Sequence, residues 1–498
     1  MTAIQQLVDL DKSKVTEKDD KPHCQESLIR PHLNDYGSAS NLAFNEAVHK
    51  MMAEGRNIYH FAFGQSPFPP VEGAKKVLAE NANETAYLPV AGIEERFYLY
   101  VFPLPGLSEL RASICSFHEK RDGLRLQDDL VVVGPGSKEL IYLLINVFNG
   151  DILLLSPSWT TYKPQTQLAN QRVFTIKTTL EDNWKLTPFL LEQTLQQHEL
   201  KRNRLLILCN PDNPTGTAYS EEDFIALSSA LRKHNIIVLS DEIYAATNFE
   251  CCHKTLAKYY PEGTVLSSGI SKWASAGGWR LGYSIYPPEL KVLHKAVCSA
   301  ASHTYSCASG PVQHAAIWLF RFDEECERYV YHTSKILQAV AAFCHRELTS
   351  VGVKAIMPRG GFYIFPDFEV IREALARRGI TTGEAMCKAL LEEADVAVMS
   401  GGPAFFAPDD EFTVRLCYIN FDGAFALTAS QQHSDEPITD DFLNLYCKPV
   451  VEGILAIKNW VQKLNLRVAS SVDSMSYDFT QVYHIGQIRI TNTCSNNL

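Results

Sequence analysis

The sequence predicts an α/β protein: a mostly parallel, doubly wound sheet forming a large domain, followed by a smaller α+β domain. Three observations carry that prediction. Short apolar runs, Leu130 to Val133, Asp151 to Leu155, Leu205 to Cys209 and Ile236 to Leu239, alternate with amphipathic helical stretches, the order of parallel strands joined by crossover helices. The runs end in turns rich in glycine, proline or polar residues, where an open α/β sheet gathers its ligands beyond the strands' carboxyl ends. After about residue 310 the pattern changes to long helical stretches with isolated short strands.

Composition narrows the function. Of 498 residues, 46% are hydrophobic and 21% charged, the balance of a soluble enzyme. A formal net charge of −11 excludes a general phosphate-backbone binder, so nucleic acid is not an expected partner. The 13 cysteines are scattered, with no Cys-x-x-Cys pair, and signal neither a metal site nor a disulfide framework. No apolar run is long enough to span a bilayer, and Met1 to Lys21 lacks the apolar core of a secretory signal. The expectation is a cytoplasmic protein with no membrane partner.

Taken in order, residues 1–38 are polar and aperiodic and read as a loosely ordered arm. The large domain is expected over 39–310, its first residues free to join the small domain, which spans 311–466; residues 467–498 read as a disordered tail. Ser40 to Glu54 has apolar residues at helical spacing, and Ile58 to Phe63 reads as a strand. Gly64-Gln65-Ser66-Pro67 then makes a turn, either a plain loop or one that brings backbone N–H groups close to a ligand carboxylate. Tyr87 to Gly92, an aromatic-rich stretch over 93–105 and a helix start at Gly106 to Arg111 follow; the middle part reads as an inserted hairpin or lid.

Gly134-Pro135-Gly136-Ser137 joins a strand to the helix Lys138 to Asn149, which makes either an anion site or an ordinary turn with Ser137 as N-cap. Trp159 stands at the end of the next strand, Asn213 in the turn after Cys209, and Asp241 to Tyr244 after Ile236 to Leu239. In Ser267 to Tyr283, Lys272 lies in a serine- and glycine-rich turn with Arg280 eight positions on. A lysine becomes nucleophilic when burial or a nearby cation disfavours its charge, and an arginine forks onto phosphate. Together they suggest a phosphorylated carbonyl cofactor held as a Schiff base. Further on come Gly360 to Phe365, a helix Gly383 to Ala394, strands Val396 to Met399 and Phe412 to Ile419, and a last helix Phe442 to Leu464. Arg415 sits in an otherwise apolar strand, where a charge needs an ion pair or an anionic ligand.

These motifs together resemble the class I/II aminotransferases, fold-type-I enzymes that use pyridoxal 5′-phosphate (PLP), from about Ser40 to Leu464. The resemblance implies Lys272 as the internal-aldimine lysine, Arg280 with Gly136, Ser137, Lys138 and Ser271 at the cofactor phosphate, and Trp159 stacking on its ring. It implies Asn213 and Tyr244 at the phenolic oxygen, Asp241 at the pyridine nitrogen, and Arg415, helped by Gly64, Gln65 and Asn213, at the substrate carboxylate. A ping-pong transfer from an L-amino acid to a 2-oxo acid follows, in a homodimer whose active-site tyrosine, Tyr87 or alternatively Tyr100, reaches the neighbouring subunit. Two departures stand out. Gly269 replaces a phosphate-binding serine, with Ser271 or Ser268 as substitutes, and the Tyr-x-x-x-x-Gly-x-x-x-Leu-Arg element is split by residues 93–105. A β-lyase, an aminocyclopropane-carboxylate-synthase-like enzyme, or an inactive binding relative are the alternatives on the same scaffold.

Overall fold

The computed structural model describes residues 28–33, 40–87, 106–250, 252–433 and 436–483. They fall into two units, residues 1–36 and 37–498. The described part of the first holds a single 3-10 turn, Pro31–Leu33.

The second unit is built on strands β1 (Tyr59–His60), β2 (Val131–Gly134), β3 (Asp151–Ser156), β4 (Val173–Lys177), β5 (Arg204–Cys209), β6 (Ile237–Asp241), β7 (Thr264–Gly269), β8 (Gly282–Ile285), β9 (Tyr363–Ile364), β10 (Val396–Ala397), β11 (Met399–Ser400) and β12 (Val414–Cys417). Seven of them form one sheet in the order β2-β8-β7-β6-β5-β3-β4. Only β8 runs against its neighbours. The sheet is therefore mostly parallel, as the alternating pattern predicts.

Both faces of this sheet are covered, which is why its strands read as unbroken apolar runs. Ile152, Leu154, Leu205 and Ile207 pack with Leu140 and Leu144 of the helix Ser137–Val147. Leu153, Leu155, Leu206 and Leu208 turn to the other face and pack with Leu191, Leu227 and Leu231. Successive side chains alternate between two cores, as the pleat requires. The helix Glu221–Lys233 on that second face is punctuated at both ends: Ser220 and Asp223 close a capping box, acids fill the first turn, and Arg232 and Lys233 sit in the last.

A three-stranded antiparallel sheet, β11-β12-β9, and the parallel pair β1-β10 complete the strands. The strand expected over Val396 to Met399 is in fact two: Val396–Ala397 pairs with β1, and Met399–Ser400 pairs with β12. The strand expected over Ile58 to Phe63 shortens to Tyr59–His60, because its one strand partner is that two-residue β10. The last helix is likewise divided, into Asp440–Tyr446 and Lys448–Tyr483. It continues to Tyr483, past the boundary at 466, since no glycine or proline interrupts 454–483. The expected insertion at 93–105, Tyr100 and residues 484–498 lie outside the described residues.

Candidate active site

The carboxyl ends of β2, β3, β5, β6 and β7 open onto one cavity of about 630 Å³, which β12 and the turn after β1 also border. Its lining includes Gly64, Gln65, Ser137, Lys138, Trp159, Asn213, Asp241, Tyr244, Ser271, Lys272, Arg280 and Arg415. Ser137, Trp159, Asn213, Asp241 and Lys272 meet there because parallel strands deliver their loops to the same edge, while Gly64 and Arg415 arrive from the turn after β1 and from β12.

The helix Ser137–Val147 points its start into this cavity. Gly136, with φ +97°, is its N-cap and Ser137 its first helical residue, so Ser137 does not serve as the cap. A Cβ on Gly136 would stand 2.4 Å from Arg280 Nη2. The glycine is thus needed twice, for its left-handed φ and for the guanidinium beside it. Arg280 donates to Gly277 O at 3.1 Å and Pro135 O at 3.1 Å, and forms no ion pair among the described residues. Lys138 lies 5.4 Å from the centroid of the Trp159 ring, and burial, followed by the Arg280 charge, holds its ammonium below the usual range. Two cations, a serine and free N–H groups at a helix start form an anion cup. Gly269 leaves no room for a side chain, since a Cβ there would stand 2.8 Å from Leu281 O. Ser268 donates to Glu242 O instead, at 3.1 Å, and of the two substitutes only Ser271 borders the cavity.

Lys272 Nζ donates to Gly64 O at 2.8 Å and sits 5.7 Å from the centroid of the Tyr244 ring. Burial brings its amine down to about 8, with the Arg415 and Arg280 charges adding to the fall and Asp241 opposing it. Asp241 ends β6 and is 2% exposed. Its Oδ2 accepts from Tyr162 Oη at 2.7 Å and its Oδ1 from the Ile243 N–H at 3.3 Å. Burial raises its carboxyl to about 6 against these two donors.

Arg415, also 2% exposed, lies between the rings of Tyr363 and Phe405, with Cζ 4.9 and 4.8 Å from their centroids. It donates to Ala62 O, to Met399 Sδ and, at 3.5 Å, to Asn213 Oδ1, while its Nε is buried without a hydrogen-bond partner. No carboxylate among the described residues pairs with it, so its charge is left for a ligand. Asn213 turns its oxygen to Arg415, which leaves its NH2 as a donor on a residue that borders the cavity. Tyr244 Oη lies 2.9 Å from Tyr363 Oη.

Sequence reasoning missed Tyr162, Tyr363, Phe63 and Cys209, all of which border the cavity. Tyr162 lies three residues after Trp159 in a short helix, and nothing local shows that it faces Asp241. Tyr87 is not brought to the site: its side chain is 87% exposed and outside the lining.

The model of the family "Aminotransferase class I and II" matches residues 56–421. The chain belongs to the class I and II aminotransferases. It is 30% identical over 390 residues to an aspartate aminotransferase of Geobacillus stearothermophilus, covering 76% of this chain and 91% of the relative. It is 28% identical over 391 residues to an asparagine--oxo-acid transaminase of Streptococcus mutans, covering 76% and 91%. Among solved structures, the aspartate aminotransferase of Thermus thermophilus with maleate superimposes with a TM-score of 0.70 at 22% identity, covering 86% of this chain and all of that one. This aminotransferase is thus a PLP-dependent transaminase that takes amino acids and 2-oxo acids as substrates. The cavity suits that cofactor on its own terms: an anion cup with a glycine cradle, a buried carboxylate, a flanking indole and an amine near neutrality converge on one space.

Proposed function

We propose that Lys272 carries and serves the cofactor, with Arg280, Lys138, Ser137 and Ser271 at its phosphate and Asp241 at its ring nitrogen. The observation that carries this reading is that Lys272, Asp241, Arg280 and Arg415 border a single cavity, with both arginines free of carboxylate partners among the described residues.

When bound, pyridoxal phosphate supplies a carbonyl that condenses with amines and a ring that takes up the electron pair of the broken Cα–H bond. The protein's part follows from its own groups. Arg415 grips the α-carboxylate through its fork and fixes which Cα bond stands across the ring, which favours loss of the proton over loss of carbon dioxide. Lys272, with its amine brought down to about 8, would take the Cα proton as a base and deliver it as an acid to the carbon that carried the cofactor's carbonyl. Asp241 holds a proton at the ring nitrogen, and Tyr162 keeps its second oxygen occupied. Tyr244 and the NH2 of Asn213 would donate to the phenolic oxygen, and Trp159 would flank the ring. Borohydride reduction of the PLP-loaded protein followed by peptide mapping tests the assignment: the label falls on Lys272, and a label on another lysine contradicts it.

The same reading makes the enzyme a homodimer in which the outward-facing Tyr87 reaches the neighbouring subunit's cofactor; an active monomer in equilibrium ultracentrifugation would refute this. It divides the chain into a large domain, 39–310, which contains the whole seven-stranded sheet, and a small one, 311–466, whose β10 pairs with β1. It places the enzyme in the cytoplasm, supported by ten described cysteines that are all free thiols.

A further inference from the structure

Behind Asp241, away from the cavity, lies a buried ionic cluster that the catalytic roles above leave unused. Glu242 is fully buried. Its Oε1 accepts from Ser240 Oγ at 3.0 Å and Thr255 Oγ1 at 2.6 Å, and its Oε2 from His253 Nε2 at 2.8 Å. Arg121 Nη2 stands 4.0 Å from that Oε2, while its Nε and Nη2 engage Asp122 at 2.8 and 2.6 Å. His118 closes the cluster, Nδ1 to Asp122 at 2.6 Å and Nε2 to Tyr283 Oη at 2.8 Å. Four elements take part: the helix Ser108–Asp122, the end of β6, β8 and the segment around His253.

The charges in this cluster do not cancel. Arg121 is one cation facing two carboxylates, Asp122 and Glu242. Burial is the largest influence on His118 and holds it below its usual range, so it adds no charge near neutral pH. His253 Nε2 meets Glu242, and its Nδ1 is buried without a hydrogen-bond partner. The two carboxylates outnumber the one guanidinium in a place where burying a charge is costly. Glu242 is the residue next to Asp241, and strand alternation points the two side chains to opposite faces. Asp241 itself faces Tyr162, Cys209, Asp212 and Lys272, among which only Lys272 carries positive charge.

We infer that Glu242 is a positioning residue for transamination: its buried negative charge, uncompensated within its own cluster, strengthens the grip of Asp241 on the proton at the cofactor's ring nitrogen. The backbone of the same residue ties the end of β6 to the lysine strand, donating to Ser267 O at 2.7 Å and accepting from Ser268 Oγ at 3.1 Å on β7. The Coulomb field of a neighbouring buried carboxylate also acts in the required direction on Asp241. This inference rests on Asp241 meeting the ring nitrogen, as proposed above.

The test is 15N NMR of the protein loaded with pyridoxal phosphate labelled at the pyridine nitrogen, titrated with pH. Glu242→Gln keeps the shape and removes the charge, and it lowers the nitrogen's deprotonation midpoint by about one pH unit, a tenfold loss of proton affinity. Arg121→Gln removes the facing cation and moves the midpoint up, which gives a second reading should the first variant fail to fold. Thr255→Val removes a hydrogen bond but no charge, and lowers the melting temperature without moving the midpoint. Asp241→Asn is the control for the underlying reading: if its midpoint matches wild type, the placement of Asp241 is wrong. If Asp241→Asn shifts the midpoint while Glu242→Gln leaves it in place, or if Thr255→Val shifts it as far as Glu242→Gln does, the role of Glu242 is overturned.

Discussion

Replacing Arg415 by methionine removes the charge that the structure holds ready for the substrate carboxylate. The guanidinium is almost wholly buried between two rings, has a partnerless Nε and pairs with no described carboxylate. Each charge-assisted hydrogen bond to a bound carboxylate is worth about 1.5–3 kcal/mol, so two of them amount to roughly 3–6 kcal/mol. Arg415→Met should therefore lower kcat/KM for an L-amino acid by about 10²- to 10⁴-fold. The companion assay uses an amine of the same side chain without the α-carboxylate. Its kcat/KM, low at the outset, should change by less than about threefold, within the few tenths of a kcal/mol left for altered packing. Equal losses on both substrates would mean that Arg415 shapes the cavity without binding the carboxylate, and would refute the reasoning. Because an unpaired buried charge is removed, the ligand-free variant should melt no lower than wild type.

Other perturbations read different parts of the site. Gly136→Ala puts a methyl 2.4 Å from Arg280 Nη2 and forces an L residue to φ +97°; its dissociation constant for pyridoxal phosphate, measured by absorbance titration, should rise about 10-fold or more, and an unchanged constant would contradict the cradle. The amine of Lys272 is brought down to about 8, so it is increasingly uncharged as pH rises through that value. The rate at which the apoprotein condenses with pyridoxal phosphate should be half-maximal near pH 8, and a midpoint above 10 would contradict the account. Tyr162→Phe withdraws a donor from Asp241 and raises the carboxyl further above about 6. Since the folded apoprotein then holds that proton more strongly than the unfolded chain does, its stability should fall more steeply between pH 4 and 7 than wild type's, as read from melting temperatures; parallel curves would contradict it.

The parallel sheet was legible because burial on both faces makes each strand an apolar run, and crossover helices separate the runs cleanly. Lys272, Asp241, Asn213, Arg280 and Trp159 were legible for a related reason, since strand ends in such a sheet point to one edge. What the sequence hid were partners set by tertiary packing. Tyr162 and Tyr363 reach the site from a short helix and a two-residue strand whose local patterns carry no chemical signal. The division of Val396 to Ser400 between two sheets is equally invisible in an apolar run, because β1 and β12 compete for its hydrogen bonds. Nothing in the sequence beside Asp241 shows that Glu242 meets Arg121 and His253 in a buried cluster.

The central claim, that this cavity performs transamination through Lys272, is tested most directly by the near-visible absorption of the PLP-loaded protein before and after a pool of L-amino acids is added without 2-oxo acid. The account predicts a band that needs Lys272, is lost in Lys272→Ala, and converts to the pyridoxamine form with one oxo acid released per site. A Lys272-independent band, or oxo acid and ammonia released beyond one equivalent without an acceptor, would contradict it.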